Sequence, residues 1–273
     1  MLNFAIQIAQ EAGNLIKNLR AQPLEVQEKG IKDLVTNADL ASEKLITNAI
    51  KEKYPNHQII GEESSDLSNP DNLKTLSKSK YIWIIDPIDG TVNYVQGLPF
   101  YCVSIALLKT SSSKTTSNFQ YFEGHVELGV VYIPELNQVF HAQKGKGAFL
   151  NNTPIQIAQK TKIQDAVATT GFIRTHRQHN YPYFMKMASE SMSIRRMGSA
   201  AIDLCYTACG KLDIFWEFGL KPWDIAAGAL ILSEAGGIIT DTNGNPLDLF
   251  GQDLLATNKD LHRSTIRLFQ MIN

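Results

Sequence analysis

The segment Asp86-Pro87-Ile88-Asp89-Gly90-Thr91 follows directly on Tyr81-Ile82-Trp83-Ile84-Ile85, an unbroken apolar run typical of a strand covered on both faces. Aspartates at the C-terminal end of such a strand lie where open α/β sheets collect their ligands. Pro87 fixes the turn and Gly90 lets a ligand approach the backbone. Thr91 adds a hydroxyl at a helix start whose N–H groups suit a phosphate. A capped acidic turn, with Asp89 or Thr91 as the cap, accounts for the same residues. Other acids gather in the pattern: Glu62-Glu63 after the strand Gln58-Ile59-Ile60, Asp39 in Asp33-Leu34-Val35-Thr36-Asn37-Ala38-Asp39, and Asp224 in Trp223-Asp224-Ile225-Ala226-Ala227-Gly228. Taken singly, solvation accounts for the glutamates, and helix capping for Asp39 and Asp224. Taken together they form a set of hard oxygen ligands without a matching set of His or Cys. That choice suits Mg2+ and disfavours zinc. Two such ions about 3.5–4 Å apart can activate a water and stabilise a leaving oxygen.

The elements that must position these groups are legible in outline. Leu2, Ala5, Ile6, Ala9, Ala12, Leu15, Ile16 and Leu19 stand at helical spacing, and Pro23 ends the pattern. A second helix starts after Thr36 and stops before Pro55. Val103–Leu108 and Glu127–Tyr132 read as strands. The Ser/Thr-rich stretch between them, 110–118, has nothing to bury and reads as a flexible hairpin extension. Further helices are expected near 199–210, 223–236 and 259–270, and strands at 166–170 and 238–240. His176 and His179 read as part of an exposed polar loop. A lobe boundary is placed near residue 150, giving an N-terminal lobe 1–150 with most acidic ligands and a C-terminal lobe 151–273 with Asp224.

Composition narrows the class. The 273 residues carry 26 Lys+Arg against 27 Asp+Glu, a formal net charge of −1. That balance argues against a basic nucleic-acid surface, so an anionic substrate needs a holder other than a Lys/Arg patch. No apolar run approaches the roughly 20 residues of a membrane span, and the first residues lack the pattern of a signal peptide. Cys102, Cys205 and Cys209 cannot make a disulfide framework and read as core thiols. The expectation is a cytoplasmic protein without membrane or nucleic-acid partners.

The ordered motifs Lys29…Asp33-Leu34-Val35-Thr36…Asp39, Gly61-Glu62-Glu63-Ser64, Asp86-Pro87-Ile88-Asp89-Gly90-Thr91, Trp223-Asp224-Ile225-Ala226-Ala227-Gly228 and Glu234-Ala235-Gly236-Gly237 span nearly the whole chain. In order and approximate spacing they resemble the inositol monophosphatase family of magnesium-dependent, lithium-sensitive phosphatases. The resemblance implies an α+β fold, a layered α-β-α-β-α sandwich with mixed sheets (the sugar phosphatase fold), and a homodimer. It implies two or three Mg2+ per subunit. Glu62, Asp86 and the Ile88 carbonyl would hold the first, and Asp86, Asp89 and Asp224 the second. A third, mostly water-ligated ion would sit near Glu62.

Asp39, Glu62 and Thr91 are the implied catalytic set, with Thr91 and Asp39 orienting the attacking water. Gly90 and Thr91 would contact phosphate, and Asp89, Gly198, Ser199, Ala200, Glu217 and Asp224 would line the substrate. Val92-Asn93-Tyr94 is close to the Thr-Asn-Phe usual in inositol monophosphatases. The chain departs from the family at Ile88, where Leu is commoner, at Val92, where Thr is frequent, and in the longer 110–118 segment.

The implied activity is hydrolysis of inositol-1-phosphate and related polyol or sugar monophosphates by in-line attack of water. The alternatives are an adenosine 3',5'-bisphosphate nucleotidase or fructose-1,6-bisphosphatase of the same superfamily. From another class comes a non-catalytic or moonlighting regulatory binding protein.

Overall fold

Alternation along one strand sets up the layers. In Ile82-Trp83-Ile84-Ile85, Ile82 and Ile84 enter one apolar core while Trp83 and Ile85 enter another. The computed structural model describes residues 1–23, 25–30, 33–69, 72, 76, 78–110, 124–251 and 253–272. Its helices are α1 (Leu2–Arg20), α2 (Asn37–Lys53), the short α3 (Thr91–Gln96), α4 (Arg177–Glu190), α5 (Ala200–Ala208), α6 (Pro222–Glu234) and α7 (Lys259–Gln270). The strands β1 (Val26–Gly30) and β2 (Asp33–Thr36) form an antiparallel hairpin.

A mixed seven-stranded sheet runs in chain order through β3 (Gln58–Gly61), β4 (Tyr81–Asp89), β5 (Cys102–Thr110), β6 (Gly124–Ile133), β7 (Gln138–Gln143), β8 (Ala148–Leu150) and β9 (Thr153–Pro154). β3 and β4 are parallel, and the other neighbours are antiparallel. The second sheet contains β10 (Val167–Thr170), β11 (Ser193–Arg195), β12 (Ile214–Phe218), β13 (Ile238–Thr240) and β14 (Asp253–Thr257). Its spatial order is β11-β10-β12-β14-β13, parallel across the first three strands and antiparallel beyond.

Three cores separate five layers. Ala5, Ala9, Ala12 and Ile16 of α1 and Ile46 of α2 pack on Trp83, Ile85, Val103, Ile105 and Val130. On the opposite face, Ile82, Ile84, Val131 and Phe140 meet α5 and α6, whose Leu204, Ala226 and Ile231 also reach Phe215 and Leu254 of the second sheet. Ile214, Trp216 and Leu255 then face Tyr183 and Met187 of α4 and Leu261 and Phe269 of α7. Each such fully buried large side chain contributes about 1.5–3 kcal/mol. The order is the α-β-α-β-α sandwich that the resemblance implies. The run Ile225–Leu232 is buried all round because α6 lies between two sheets.

The loop expectation for His176 and His179 is corrected. A short 3-10 turn, Arg174–His176, leads into α4, and His179 lies in that helix's first turn. Pro182 has no N–H to donate four residues back, so it reads as a breaker. Burial of Asn180, Tyr183 and Met187 on one face holds the helix regardless. The expected hairpin extension is closed by the Thr110–Gly124 pair, and residues 111–123 lie outside the described residues. Among the described residues no helix is long and apolar enough to cross a membrane.

Asn180, 1% exposed, ties this outer layer to the end of β10. Its Nδ2 donates to the Thr170 hydroxyl at 2.9 Å and the Gly171 carbonyl at 2.7 Å, and its Oδ1 accepts from Trp216 Nε1 at 2.8 Å. Asn180→Leu strands the indole N–H and a buried carbonyl, so urea unfolding is expected to show a loss of about 2–4 kcal/mol.

Candidate active site

Acidic side chains reach one cleft from separate elements. Glu62 follows β3, and its backbone N–H is bound to the Ile85 carbonyl of β4 at 3.2 Å. Behind it, Glu43 of α2 is buried and accepts from the Glu63 N–H at 2.8 Å, which fixes the acidic corner. In a regular strand Asp86 and Asp89, three apart, would point to opposite faces. The β4–β5 ladder shifts register between them, as a β-bulge does, and both aspartates line the cleft. Asp224 comes from the first turn of α6.

Each aspartate has one oxygen secured. Asp86 Oδ1 accepts from the Ile88 N–H at 3.0 Å. Asp224 Oδ2 accepts from the Lys221 N–H at 2.7 Å. Asp89 Oδ2 takes both the Ser199 hydroxyl and the Ala201 N–H, each at 2.7 Å, at the start of α5. Gly90, at φ 95°, turns the chain from β4 into α3, and a Cβ there would stand 2.8 Å from the Phe100 carbonyl oxygen. The Thr91 hydroxyl donates to the Ile88 carbonyl at 3.1 Å.

Burial and mutual repulsion set the electrostatics. Asp86 is pushed well above the ordinary carboxylate range, first by burial and then by Glu62, Asp89 and Asp224. Burial, Asp89 and Glu62 do the same to Asp224. Burial raises Asp89 to about 6, against the opposing effect of its hydrogen bonds. Glu217 on β12 is also driven up, by burial and then by Asp203, Asp224 and Asp89, with Arg196 opposing.

Two adjoining depressions of about 230 Å³ and 170 Å³ make the cleft, sharing Asp89, Ile173, Arg196, Gly198 and Asp224. The first holds Glu62, Asp86, Ile88, Gly90 and Thr91, and the second Ser199, Ala200 and Glu217. The structure thus brings together every candidate site residue from the sequence except Asp39. That residue is fully buried, accepts from the Thr36 N–H at 2.8 Å and hydroxyl at 2.6 Å in a capping box of α2, and lines neither depression.

Other contributors were not anticipated. Arg196 is the one cation among the described residues lining the cleft. Asn93 donates to the Phe100 and Met197 carbonyls at 2.6 Å and 2.8 Å, pinning the Gly198 turn. Gly171 makes room for Glu217, since a Cβ there would fall 1.9 Å from its Oε1. Glu43 shares the buried face of α2 with Asp39 and Ser42, and its local sequence gave no separate signal.

The inositol monophosphatase family model matches residues 1–273. A "Nus factor SuhB" from Vibrio cholerae is 43% identical over 250 residues, covering 89% of this chain and 86% of that protein. An "Inositol-1-monophosphatase" from Synechocystis is 39% identical over 267 residues, covering 96% and 86%. The crystal structure of the extragenic suppressor protein SuhB from Bartonella henselae superposes with a TM-score of 0.85 at 32% identity, covering 98% and 97%. The chain belongs to the inositol monophosphatase family, a family of generally metal-dependent phosphatases.

Asp203 of α5 lies behind the cleft, 1% exposed. Its Oδ1 accepts from the Thr169 hydroxyl at 2.8 Å, while its Oδ2 has no hydrogen-bond partner. Burial raises its pKa well above the ordinary value. The folded chain therefore holds a proton that the unfolded chain releases near pH 4, and this stability is lost as pH rises through the raised value. Asp203→Asn is expected to raise Tm more at pH 8 than at pH 5. An equal change at both would show that the group does not titrate.

Proposed function

We propose that the protein hydrolyses inositol-1-phosphate, and related polyol or sugar monophosphates, with Mg2+ in the acidic cleft. The observation that carries this reading is the convergence of Glu62, Asp86, Asp89 and Asp224 beside Glu217, with Arg196 as the nearby cation. Among the described residues no three Asp, Glu, His or Cys side chains converge closely enough to hold an ion by themselves. Magnesium does not require three at once: it takes one or two carboxylates and completes its shell with water and substrate phosphate. The donor chemistry fits as well. Every acidic ligand is a hard oxygen, and the mutual repulsion among them calls for a cation. In this reading Glu62, Asp86 and the Ile88 carbonyl would hold one ion and Asp86, Asp89 and Asp224 a second, these three aspartates closing on the cation as it neutralises their repulsion, with a third ion near Glu62. The oxygens not tied to backbone groups serve as ligands. When bound, the ions neutralise the phosphate and lower the pKa of water.

The chain's own groups do the positioning. Because the Thr91 hydroxyl donates to the Ile88 carbonyl, its lone pairs remain to accept a proton of the attacking water and aim the water's oxygen at phosphorus. Asp39 fixes the Thr36 turn and would assist this orientation through that turn, without lining the cleft. The Gly90 and Thr91 N–H groups contact the phosphate. Glu217 and the Gly198-Ser199-Ala200 segment receive the hydroxyls of the polyol, and Ser199 also holds Asp89 still. The attack is taken as direct, since among the described residues lining the acidic half of the cleft there is no Cys, His or Ser to act as a nucleophile.

A second reading rests on relatives such as the Vibrio cholerae protein that carry the name Nus factor. Here the chain also binds a partner of the transcription or translation machinery, and the fold rather than the acids would carry that role.

Phosphate release from a panel of monophosphates with Mg2+ is expected to rank inositol-1-phosphate above adenosine 3',5'-bisphosphate, and millimolar Li+ to inhibit it. A tenfold preference in kcat/KM for the bisphosphate would displace the substrate assignment. Asp89→Asn is expected to lower kcat by at least about 100-fold with the circular dichroism unchanged. Full activity in that variant would remove the metal assignment, and retained partner binding would support the second reading.

A further inference from the structure

The β11–α5 connection, residues 196–199, carries Arg196, which lines both halves of the cleft. Among the described residues its guanidinium has no hydrogen-bond or ion-pair partner, so its backbone sets its place. Three residues around it are tied down instead. The Met197 carbonyl accepts from Asn93 at 2.8 Å, and the Ser199 hydroxyl donates to Asp89 at 2.7 Å. The Arg195 carbonyl lies 3.2 Å from the hydroxyl of Thr169, its register partner across the parallel β10–β11 pair.

That hydroxyl is shared. Asp203 Oδ1 of α5 stands 2.8 Å from it, and both residues are closed off from solvent. A hydroxyl has one proton to give. With Asp203 ionised, Thr169 satisfies either the carboxylate or the Arg195 carbonyl, and the other contact sets lone pair against lone pair. With a proton on Asp203 Oδ1 the contact reverses: the carboxyl donates to Thr169, and Thr169 donates to the Arg195 carbonyl. Asp203 Oδ2, which has no partner, is then a bare carbonyl oxygen rather than an unpaired buried charge, the less costly of the two. Burial acts in the same direction, with Asp89 adding to it and the Thr169 hydrogen bond and Arg196 opposing.

A neutral Asp203 also leaves Arg196 without a buried counter-ion behind it. The guanidinium charge then acts on the cleft side, where Glu217 already feels it. We infer that Asp203 is a positioning residue: as a neutral acid it donates to Thr169, Thr169 donates to the Arg195 carbonyl, and this relay sets Arg196 against the alcohol part of the substrate. What Arg196 meets there rests on the hydrolytic reading, whereas the relay rests on the buried hydrogen bonds alone.

Asp203→Asn keeps a donor for Thr169, Asp203→Leu keeps only the volume, and Thr169→Val removes the relay without touching α5. The Nε–H signal of Arg196 in the 15N-labelled full chain, assigned by its loss in Arg196→Met, reads the relay without turnover. It is expected to stay in place in Asp203→Asn and to move in Asp203→Leu and Thr169→Val. In phosphate release from inositol-1-phosphate with Mg2+, the last two are expected to raise KM about tenfold, as for one well-placed hydrogen bond, and to leave kcat nearly unchanged. Asp203→Asn is expected to restore KM to within about twofold of the unmodified chain. Arg196→Met should raise KM by a similar factor to Thr169→Val, and the double variant should raise it no further. Should Asp203→Leu fail to fold by circular dichroism, Thr169→Val makes the same comparisons. A signal that moves in Asp203→Asn as far as in Thr169→Val, or a KM indifferent to Thr169→Val, would overturn the inference. Absence of phosphate release from every form, the unmodified chain included, would overturn the hydrolytic reading instead, and the Arg196 signal would still decide on the relay.

Discussion

Four carboxylates that repel one another across a partly buried cleft are the constraint on which the rest of the structure depends. None of the elements that carry them would hold this arrangement alone. Glu62 is fixed through a strand pair and the buried Glu43, Asp86 and Asp89 through a bulge in β4, and Asp224 through a helix wedged between two sheets. The three apolar cores therefore offset the repulsion, and the hydrogen bonds to one oxygen of each aspartate prevent relaxation into solvent. The formal net charge of −1 conceals this concentration of acid. It becomes intelligible in the proposed magnesium reading, where cations take the place of a basic patch.

Much of this was legible in the residues. The apolar run Tyr81–Ile85, the turn after it and the helix around Ala226 place themselves by periodicity and by Pro and Gly. The order of the acidic motifs points to the family and, through it, to five layers. What was not legible depends on contacts between residues distant in the chain. Asn180, Arg196 and Asn93 have ordinary local contexts and acquire their roles only when β10, β11 and α3 meet. The α4 helix was hidden by Pro182, whose local preference is outweighed by tertiary burial of Asn180, Tyr183 and Met187. Asp39 was placed at a helix start correctly, but its separation from the cleft wall depends on how α2 packs.

The two halves of the cleft divide the chemistry. The half beside α3 presents the carboxylates of Glu62, Asp86 and Asp89 and the backbone of Gly90 and Thr91, which in the proposed reading would hold a phosphate through bound cations. The half beside β12 presents Glu217, Phe172 and Leu220, where differences between alcohols would be felt. Arg196 and Gly198, in the β11–α5 connection, line both halves, so in the proposed reading that connection joins the phosphate side to the alcohol side.

Asp89 ends β4, the second strand of the first sheet, and is bound by Ser199 and Ala201 at the start of the helix that the second sheet rests on. One side chain is thus a candidate ligand and also a rivet between layers. A lineage built on this scaffold can vary the Glu217 rim more readily, although Ser199 there is held by its bond to Asp89 and Gly171 by the space Glu217 needs. At Asp89 it has no such latitude: drift in chemistry at that position is also drift in architecture. Divergence of substrate would then proceed from the Glu217 rim inward and stop at the rivet.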